Sequence, residues 1–270
     1  MMVLIAATFT SCKRFESRSE REDNNESASD GASAENTFND VANVADNAEK
    51  NGALGFRLSA EAEAAQNLTG NCATITRDTV ARRITIDFGT SNCIGNDGKS
   101  RRGKIYIDYT GPYRQTGTVR TFSFDNYYVN DNKIEGTKSI TTVAGFDAAT
   151  PQWSIQVNGQ VILANNEGTI TWTANRTRKM IAGKDTPVWT DDVYTIEGTA
   201  SGVSARGVNF TTTITSPLRK EIGCRWFVSG VIEHQPEDKP LRKIDFGSGS
   251  CDDQAVVTVR NRERTITLRR

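Results

Sequence analysis

The chain has 270 residues, with 33 Lys plus Arg against 33 Asp plus Glu, so its formal net charge is zero. That balance gives no general attraction for nucleic acid or an anionic lipid surface, and the length allows one or two domains with a real core. Only 36% of residues are hydrophobic, which predicts that part of the chain is not packed.

Met1 to Thr10 reads MMVLIAATFT. It is too short to span a bilayer, which takes about 20 apolar residues, and has the length of a signal-peptide apolar region. Phe9-Thr10-Ser11-Cys12 follows, an apolar residue, two small ones and a cysteine in that order. This run resembles a lipobox, the motif of bacterial lipoproteins. The resemblance implies a signal peptide over residues 1–11, cleavage before Cys12 and lipid attachment at its sulfur. Two or more acyl chains, at ~0.8 kcal/mol per buried methylene, would then hold the protein to a membrane. Lys13 follows the cysteine where Asp would retain the protein at the inner membrane, so the pattern is similar to that of lipoproteins sent to the outer membrane.

Residues 12–60 are rich in Ser, Glu, Asp, Asn and Ala and poor in large apolar side chains. They are expected to form a flexible tether, because they bury too little surface to offset ordering entropy. Phe38, Val41, Ala45 and Ala48 fall at helical spacing, which places a short helix near Asn36 to Glu49 within it.

From residue 61 to 270 the pattern is that of one antiparallel β domain. Ile84, Ile86 and Phe88 alternate with polar residues, as do Ile105, Ile107 and Tyr109, Phe122 and Phe124, Ile155 and Val157, Val257 and Val259, and Ile266 and Leu268. Period-two alternation rich in β-branched and aromatic residues marks half-buried strands. Asp97-Gly98 and Asn158-Gly159 read as hairpin turns. No βαβ rhythm occurs, so the expected fold is all-β: a large antiparallel sheet, either a sandwich or open and barrel-like, with one wet, Thr-rich face. Gly103-Lys104-Ile105-Tyr106-Ile107 is echoed by Gly168-Thr169-Ile170-Thr171-Trp172, and Ile134-Glu135-Gly136-Thr137 recurs at Ile196-Glu197-Gly198-Thr199. These echoes predict an internally duplicated meander.

With Cys12 given to lipid, Cys72, Cys93, Cys224 and Cys251 remain, an even number suited to an oxidising compartment. Three connectivities exist, and local pairing is favoured. Asp87-Phe88-Gly89 shortly precedes Cys93 and Asp245-Phe246-Gly247 shortly precedes Cys251, each with another cysteine upstream. The turn-like run Gln235 to Pro240 lies midway between Cys224 and Cys251, so a hairpin there sets the two opposite each other. For Cys72 and Cys93 a turn near Arg77 to Val80 is off-centre, and a further bend after Phe88 is required.

Other motifs reduce to architecture. Gly95 to Ser100 ends like a phosphate-binding loop but lacks the first glycine and the following helix; a type I′ turn is the better reading. The duplicated Asp-Phe-Gly lacks every other kinase element, so Phe88 and Phe246 are expected in the core with each glycine making a turn or bulge. His234, the only histidine, is read as a surface residue beside a Pro-rich turn, and no metal or cofactor is expected. Glu135 and Glu197 are read as a solvated strand face, and Arg260, Arg262, Arg264, Arg269 and Arg270 likewise. Tyr113, Tyr127, Tyr128, Trp153, Trp172, Trp189 and Trp226 are read mainly as core, whereas Tyr106 points away from its apolar neighbours Ile105 and Ile107.

Taken whole, the lipobox, the polar tether and the terminal block from Asp245 to Asp252 are similar to uncharacterised lipoproteins of the Bacteroidetes type. The resemblance implies an outer-membrane-anchored envelope protein with an all-β domain. The leading expectation is a non-enzymatic module that binds glycan, peptide or another envelope protein through the wet sheet face, its other partner being the membrane. The alternatives are a spacer without ligand and a secreted hydrolase using two carboxylates. Mass spectrometry of membrane-extracted protein should find an amino-terminal, acylated Cys12; an intact, unmodified Met1 would rule the anchor out.

Overall fold

A computed structural model of the chain describes residues 25–53, 68–186, 188 and 190–268. Cys12, the signal segment, Trp189, Arg269 and Arg270 lie outside the described residues. Among the described residues one α-helix, α1 (Glu26–Ala53), precedes the strands. The strands are β1 (Thr74–Asp78), β2 (Arg83–Asp87), β3 (Cys93–Ile94), β4 (Ser100–Tyr109), β5 (Val119–Val129), β6 (Asn132–Ala144) and β7 (Gln152–Ile162). They continue as β8 (Thr169–Ala182), β9 (Val193–Val203), β10 (Asn209–Glu221), β11 (Phe227–Pro236), β12 (Arg242–Ser248), β13 (Gln254–Val259) and β14 (Arg262–Thr267). All belong to one open antiparallel sheet in which nearly every strand pairs with its neighbours in sequence; β3 is a short branch on β4. β1 and β14 form the two edges.

The expected alternation is present. Ile84, Ile86, Ile105, Ile107, Phe122, Ile155, Val157 and Val257 are all buried on the inner face. Both bridges form as the local reading predicts. Cys72 joins Cys93 with Cα atoms 5.5 Å apart, and Cys224 joins Cys251 at 5.7 Å. The two Asp-Phe-Gly copies make the same corner. Gly89 N donates to Asp87 Oδ1 at 2.8 Å and Gly247 N to Asp245 Oδ1 at 2.9 Å. Both glycines have positive φ, and Phe88 and Phe246 point into the core. An aspartate accepting from the amide two residues on closes a tight turn that re-aims the chain toward its cysteine.

Two turn assignments change. Asp97 keeps a negative φ and only Gly98 is left-handed, so Gly95 to Gly98 is a tight turn closed by Gly98 N donating to Gly95 O, not type I′. Among the described residues, consecutive positive φ values occur at the Asn130-Asp131 and Arg260-Asn261 hairpin turns and at Asn165-Asn166 in the β7–β8 loop. Asn158-Gly159 is no turn at all but the middle of β7. A side chain at Gly159 would sit 2.6 Å from the Phe38 ring, so the glycine makes room for α1 against the sheet.

The repeated motifs mark bends. Gly136 in β6 and Gly198 in β9 have φ of 105° and 123°, a region open to glycine alone, and each lies hard against the backbone of a neighbouring strand, β7 and β8 respectively. The first members of the two echoes fall on β4 and β6, with β5 between, whereas their second members fall on the adjacent β8 and β9. What recurs is a strand bend.

The largest departure from expectation is α1. Glu26–Ala53 is not a tether but a helix twice the length expected, with Ala34, Phe38, Val41, Ala42, Val44, Ala45 and Ala48 in the main core. The curved sheet wraps it. Ala28 and Ala32 join a second cluster under β9 to β13. Its Asn, Ser, Asp and Gly residues are poor helix formers, so its helicity depends on docking.

The docking is ionic as well as apolar. Arg176 Nη2 donates to Glu35 at 2.6 Å, and Arg101 Nη2 to Asp40 Oδ2 at 2.9 Å. Arg120 Nη1 and Arg178 Nη2 each reach Asp46 at 2.9 Å, with the Tyr113 hydroxyl donating at 3.1 Å. Arg120 also holds Glu49 at 3.0 Å, and Lys138 Nζ donates to Phe38 O at 2.5 Å. On β8 the inward series Ile170, Trp172, Ala174, Arg176, Arg178, Met180 shows that arginine occupies core-facing positions in unbroken alternation.

Asp46→Ala should therefore strip Arg178 of its carboxylate and leave Arg120 with Glu49 alone, at a cost of about 3–5 kcal/mol in a denaturant titration. The same change at Glu135, on the outer face, should stay within about 0.5 kcal/mol.

Candidate functional site

The outer face is built from the alternate positions of the same strands. Over β6 to β10 it presents Thr137, Ser139, Gln156, Asn158, Thr173, Asn175, Thr199, Ser201, Thr211 and Thr213. Glu135 pairs there with Lys133 at 2.6 Å and Glu197 with Lys179 at 3.5 Å, as a solvated face predicts. A broad hollow of about 690 Å³ over β8 to β11 is lined by Thr171, Thr173, Ser201, Gln235, Glu237 and Asp238 among others. It has no exposed ring for a ligand to stack on.

The face changes character at β4 and β5. Tyr106 stands outward between the buried Ile105 and Ile107. At the adjacent Tyr127-Tyr128 pair the first ring enters the core and the second stands outside. A depression of about 430 Å³ lies beside them, lined by Asp87, Thr90, Arg102, Lys104, Asp125, Asn126 and Tyr128, with Gly89 and Gly103 in its wall. That volume is within the range of small-molecule sites.

Local backbone irregularities create the depression. Gly103 has φ 86°, Asn126 opposite has φ 45°, and the β4–β5 register slips between Arg102 and Lys104. A Cβ on Gly103 would lie 1.9 Å from Asn126 O, so no other residue fits. The Asp-Phe-Gly corner then docks on this bulge, Phe88 N donating to Gly103 O at 2.9 Å and Gly103 N to Gly89 O at 2.7 Å. A bulge that re-aims side chains beside a hollow is a recurrent way of building a site.

The polar groups are held in place. The Arg102 guanidinium lies 3.8 Å from the Tyr128 ring centroid, donates to Asn92 Oδ1 at 2.7 Å and pairs with Asp131. Lys104 pairs with Asp87 at 2.9 Å. Arg83 sits 5.3 Å from the Tyr106 ring and grips Asp108 with two bonds of 2.7 and 2.8 Å. The hydrogen bond from Lys104, with that from Gly89 N, lowers the Asp87 carboxyl below its ordinary range. A carboxylate held ionised accepts hydrogen bonds and does not deliver a proton, so Asp87 suits binding better than general acid catalysis.

Elsewhere the rings are core. Trp153, Trp172, Trp226 and Tyr127 are buried, while Tyr113 lies against Asp46. His234 is corrected most sharply: it is fully buried on β11, its ring 4.8 Å from Phe210 and its Nε2 3.1 Å from Ser27 Oγ. The Pro-rich turn lies next to it in sequence, but α1 covers it, and nothing in the sequence locates α1 there. Among the described residues no group of His, Cys, Asp or Glu is placed to hold a metal ion. Tyr128, expected with the other rings in the core, stands outside it instead, and no sequence motif marks Arg102. Consecutive tyrosines in a strand carry the usable sign, since one of the two must face outward.

Comparison of the chain with family models, with characterised proteins and with solved structures finds no match.

Burial, and then the Arg242 charge, push the His234 imidazole from its ordinary value of 6.5 down to about 3. A group depressed in the folded state contributes stability that is present above 6.5 and is lost as pH falls toward 3. Unfolding free energy should therefore decline below pH 6.5 with a slope approaching ~1.4 kcal/mol per pH unit. Chemical denaturation of His234→Gln across that range should show a shallower decline.

Proposed function

We propose that this chain is a lipid-anchored envelope protein whose β domain is a non-enzymatic binding module, and that it takes glycan in the outer-face depression beside Tyr106 and Tyr128. The observation that carries this reading is the combination, at one bulge, of two outward tyrosines with fixed carboxylate, amide and guanidinium groups. A sugar ring offers an apolar C–H face to stack on an aromatic ring and hydroxyls that both donate and accept. Asp87 and Asp125 would accept from those hydroxyls, and Arg102, Lys104 and Asn126 would donate. Two disulfides in a chain of this kind support an oxidising compartment, and the lipobox-like run ending at Cys12 supports the anchor.

A spacer role has one observation in its favour, the Thr, Ser, Asn and Gln coating of the outer face from β6 to β10. The two readings separate at Tyr128. Titration calorimetry with soluble peptidoglycan fragments and a panel of oligosaccharides should find at least one ligand whose affinity falls about tenfold or more in Tyr128→Ala. The melting temperature should barely change, because the ring is outside the core. If no glycan binds, or if Tyr128→Ala leaves binding intact, the spacer reading prevails.

A further inference from the structure

Away from the outer face, the curvature of the sheet brings together two parts that are far apart in strand order. The start of β4 and the β5–β6 turn lie on one side of α1, and the loop from Ile222 to Trp226 after β10 lies on the other. The strands β5 to β9 separate β4 from β10 in the sheet. Between them lies a recess of about 140 Å³, lined by Asp40, Asp97, Lys99, Lys220 and Arg225 among others. It adjoins a smaller one of about 40 Å³ that shares Asp40, Lys99 and Arg225 and adds Asn36, Asn130 and Asn132.

The charges here do not cancel. Asp40 takes Lys99 at 2.6 Å and Arg101 at 2.9 Å, and Asp97 takes Arg101 at 2.6 Å. Two carboxylates thus match two cations. Lys220 and Arg225 remain. Lys220 is buried, and its ammonium donates to the carbonyls of Cys224 and Trp226. An ammonium has three donors, so two are committed to neutral acceptors and the charge itself is uncompensated. The Arg225 guanidinium rests 5.4 Å from the Trp226 ring centroid and has no carboxylate partner among the described residues. Asn130 and Asn132 spend their oxygens on Ser100 N and Ala164 N, each at 3.0 Å, which leaves their amide donors.

We propose that this recess binds a doubly charged oxyanion, a phosphate or phosphomonoester, with Lys220 and Arg225 supplying the two uncompensated charges. The site is separate from the outer-face depression and does not depend on the glycan reading. Guanidinium and ammonium groups are the usual partners of phosphate, one as a fork and the other as a point charge. A recess of this size admits the phosphoryl group, and the neighbouring asparagine amides and the Ser33 and Thr37 hydroxyls lining the smaller recess face whatever hydroxylated group carries it.

A linked proton follows from the same geometry. Burial, then repulsion from Lys99 and Arg225, hold the Lys220 ammonium down at about 7 against the weaker pull of Asp40 and Asp97. A bound dianion raises it, so affinity is highest below pH 7 and declines as pH climbs above that value.

Inorganic sulfate is the first probe, because it keeps both charges throughout the range. Titration calorimetry of the full chain should detect sulfate and glycerol phosphate binding, weakened about tenfold or more in Arg225→Gln, with sulfate affinity falling between pH 7 and pH 9. Lys220→Met also removes two loop contacts, so Arg225→Gln carries the test if that variant fails to fold. Vesicles containing phosphatidic acid form a second arm. Retention that is lost in Arg225→Gln assigns the phosphate to a lipid headgroup, and no retention alongside glycerol phosphate binding assigns it to a soluble ester. Absence of sulfate binding, or binding that Arg225→Gln leaves unchanged, overturns the proposal.

Discussion

The fold depends on the pairing of an acidic, weakly helical segment with a cationic concave wall. Asp46 is its centre. Burial alone would raise this carboxyl, but Arg178, Arg120 and Arg114 together outweigh that effect and hold it well below the ordinary range. Burying ions is expensive, and a pair of this kind adds little net stability over a well-packed apolar core. What it does impose is register. Glu35 is held from β8, Asp40 from β4 and Asp46 from both β5 and β8, so α1 cannot slide by a turn without stranding several charges at once. Phe38, packed where β7 has Gly159, supplies the apolar counterpart of the same constraint.

Curvature makes that wall possible. A flat sheet would offer its inner arginines to water, where each ion pair would contribute little. The bends at Gly136 and Gly198 and the bulges in β5 and β10 roll the sheet around the helix. The apolar clusters on either side then exclude solvent from the pairs. The same irregularities shape the surface. The Gly103 bulge opens the depression beside Tyr128, and the roll of the sheet draws the loop carrying Arg225 toward the start of β4.

The two candidate sites are thus by-products of one device used at different places. On the outside, a bulge frees polar side chains and a ring from strand pairing, giving a neutral, hydroxyl-matching surface. At the seam, the wall carries more cations than α1 carries carboxylates, so positive charge is left over where solvent can enter. Their chemistry differs because the first lies on the wet face and the second borders the ionic interior.

Much of this protein was legible in its residues. Strands follow from period-two alternation, and the corners at Gly89 and Gly247 follow from a three-residue motif whose contacts are internal to it. The two disulfides follow because each cysteine finds its partner within a hairpin. These features rest on neighbours in sequence or on adjacent strands. The burial of α1 and of His234 does not, because their partners are remote: Arg178 and Asp46 are 132 residues apart. Read locally, an acidic Ala- and Asn-rich stretch looks like a tether, and arginines alternating along a strand look like a solvated face. Only the rolled sheet brings one against the other, and charge neutralisation across that contact turns two apparently hydrophilic surfaces into an interior.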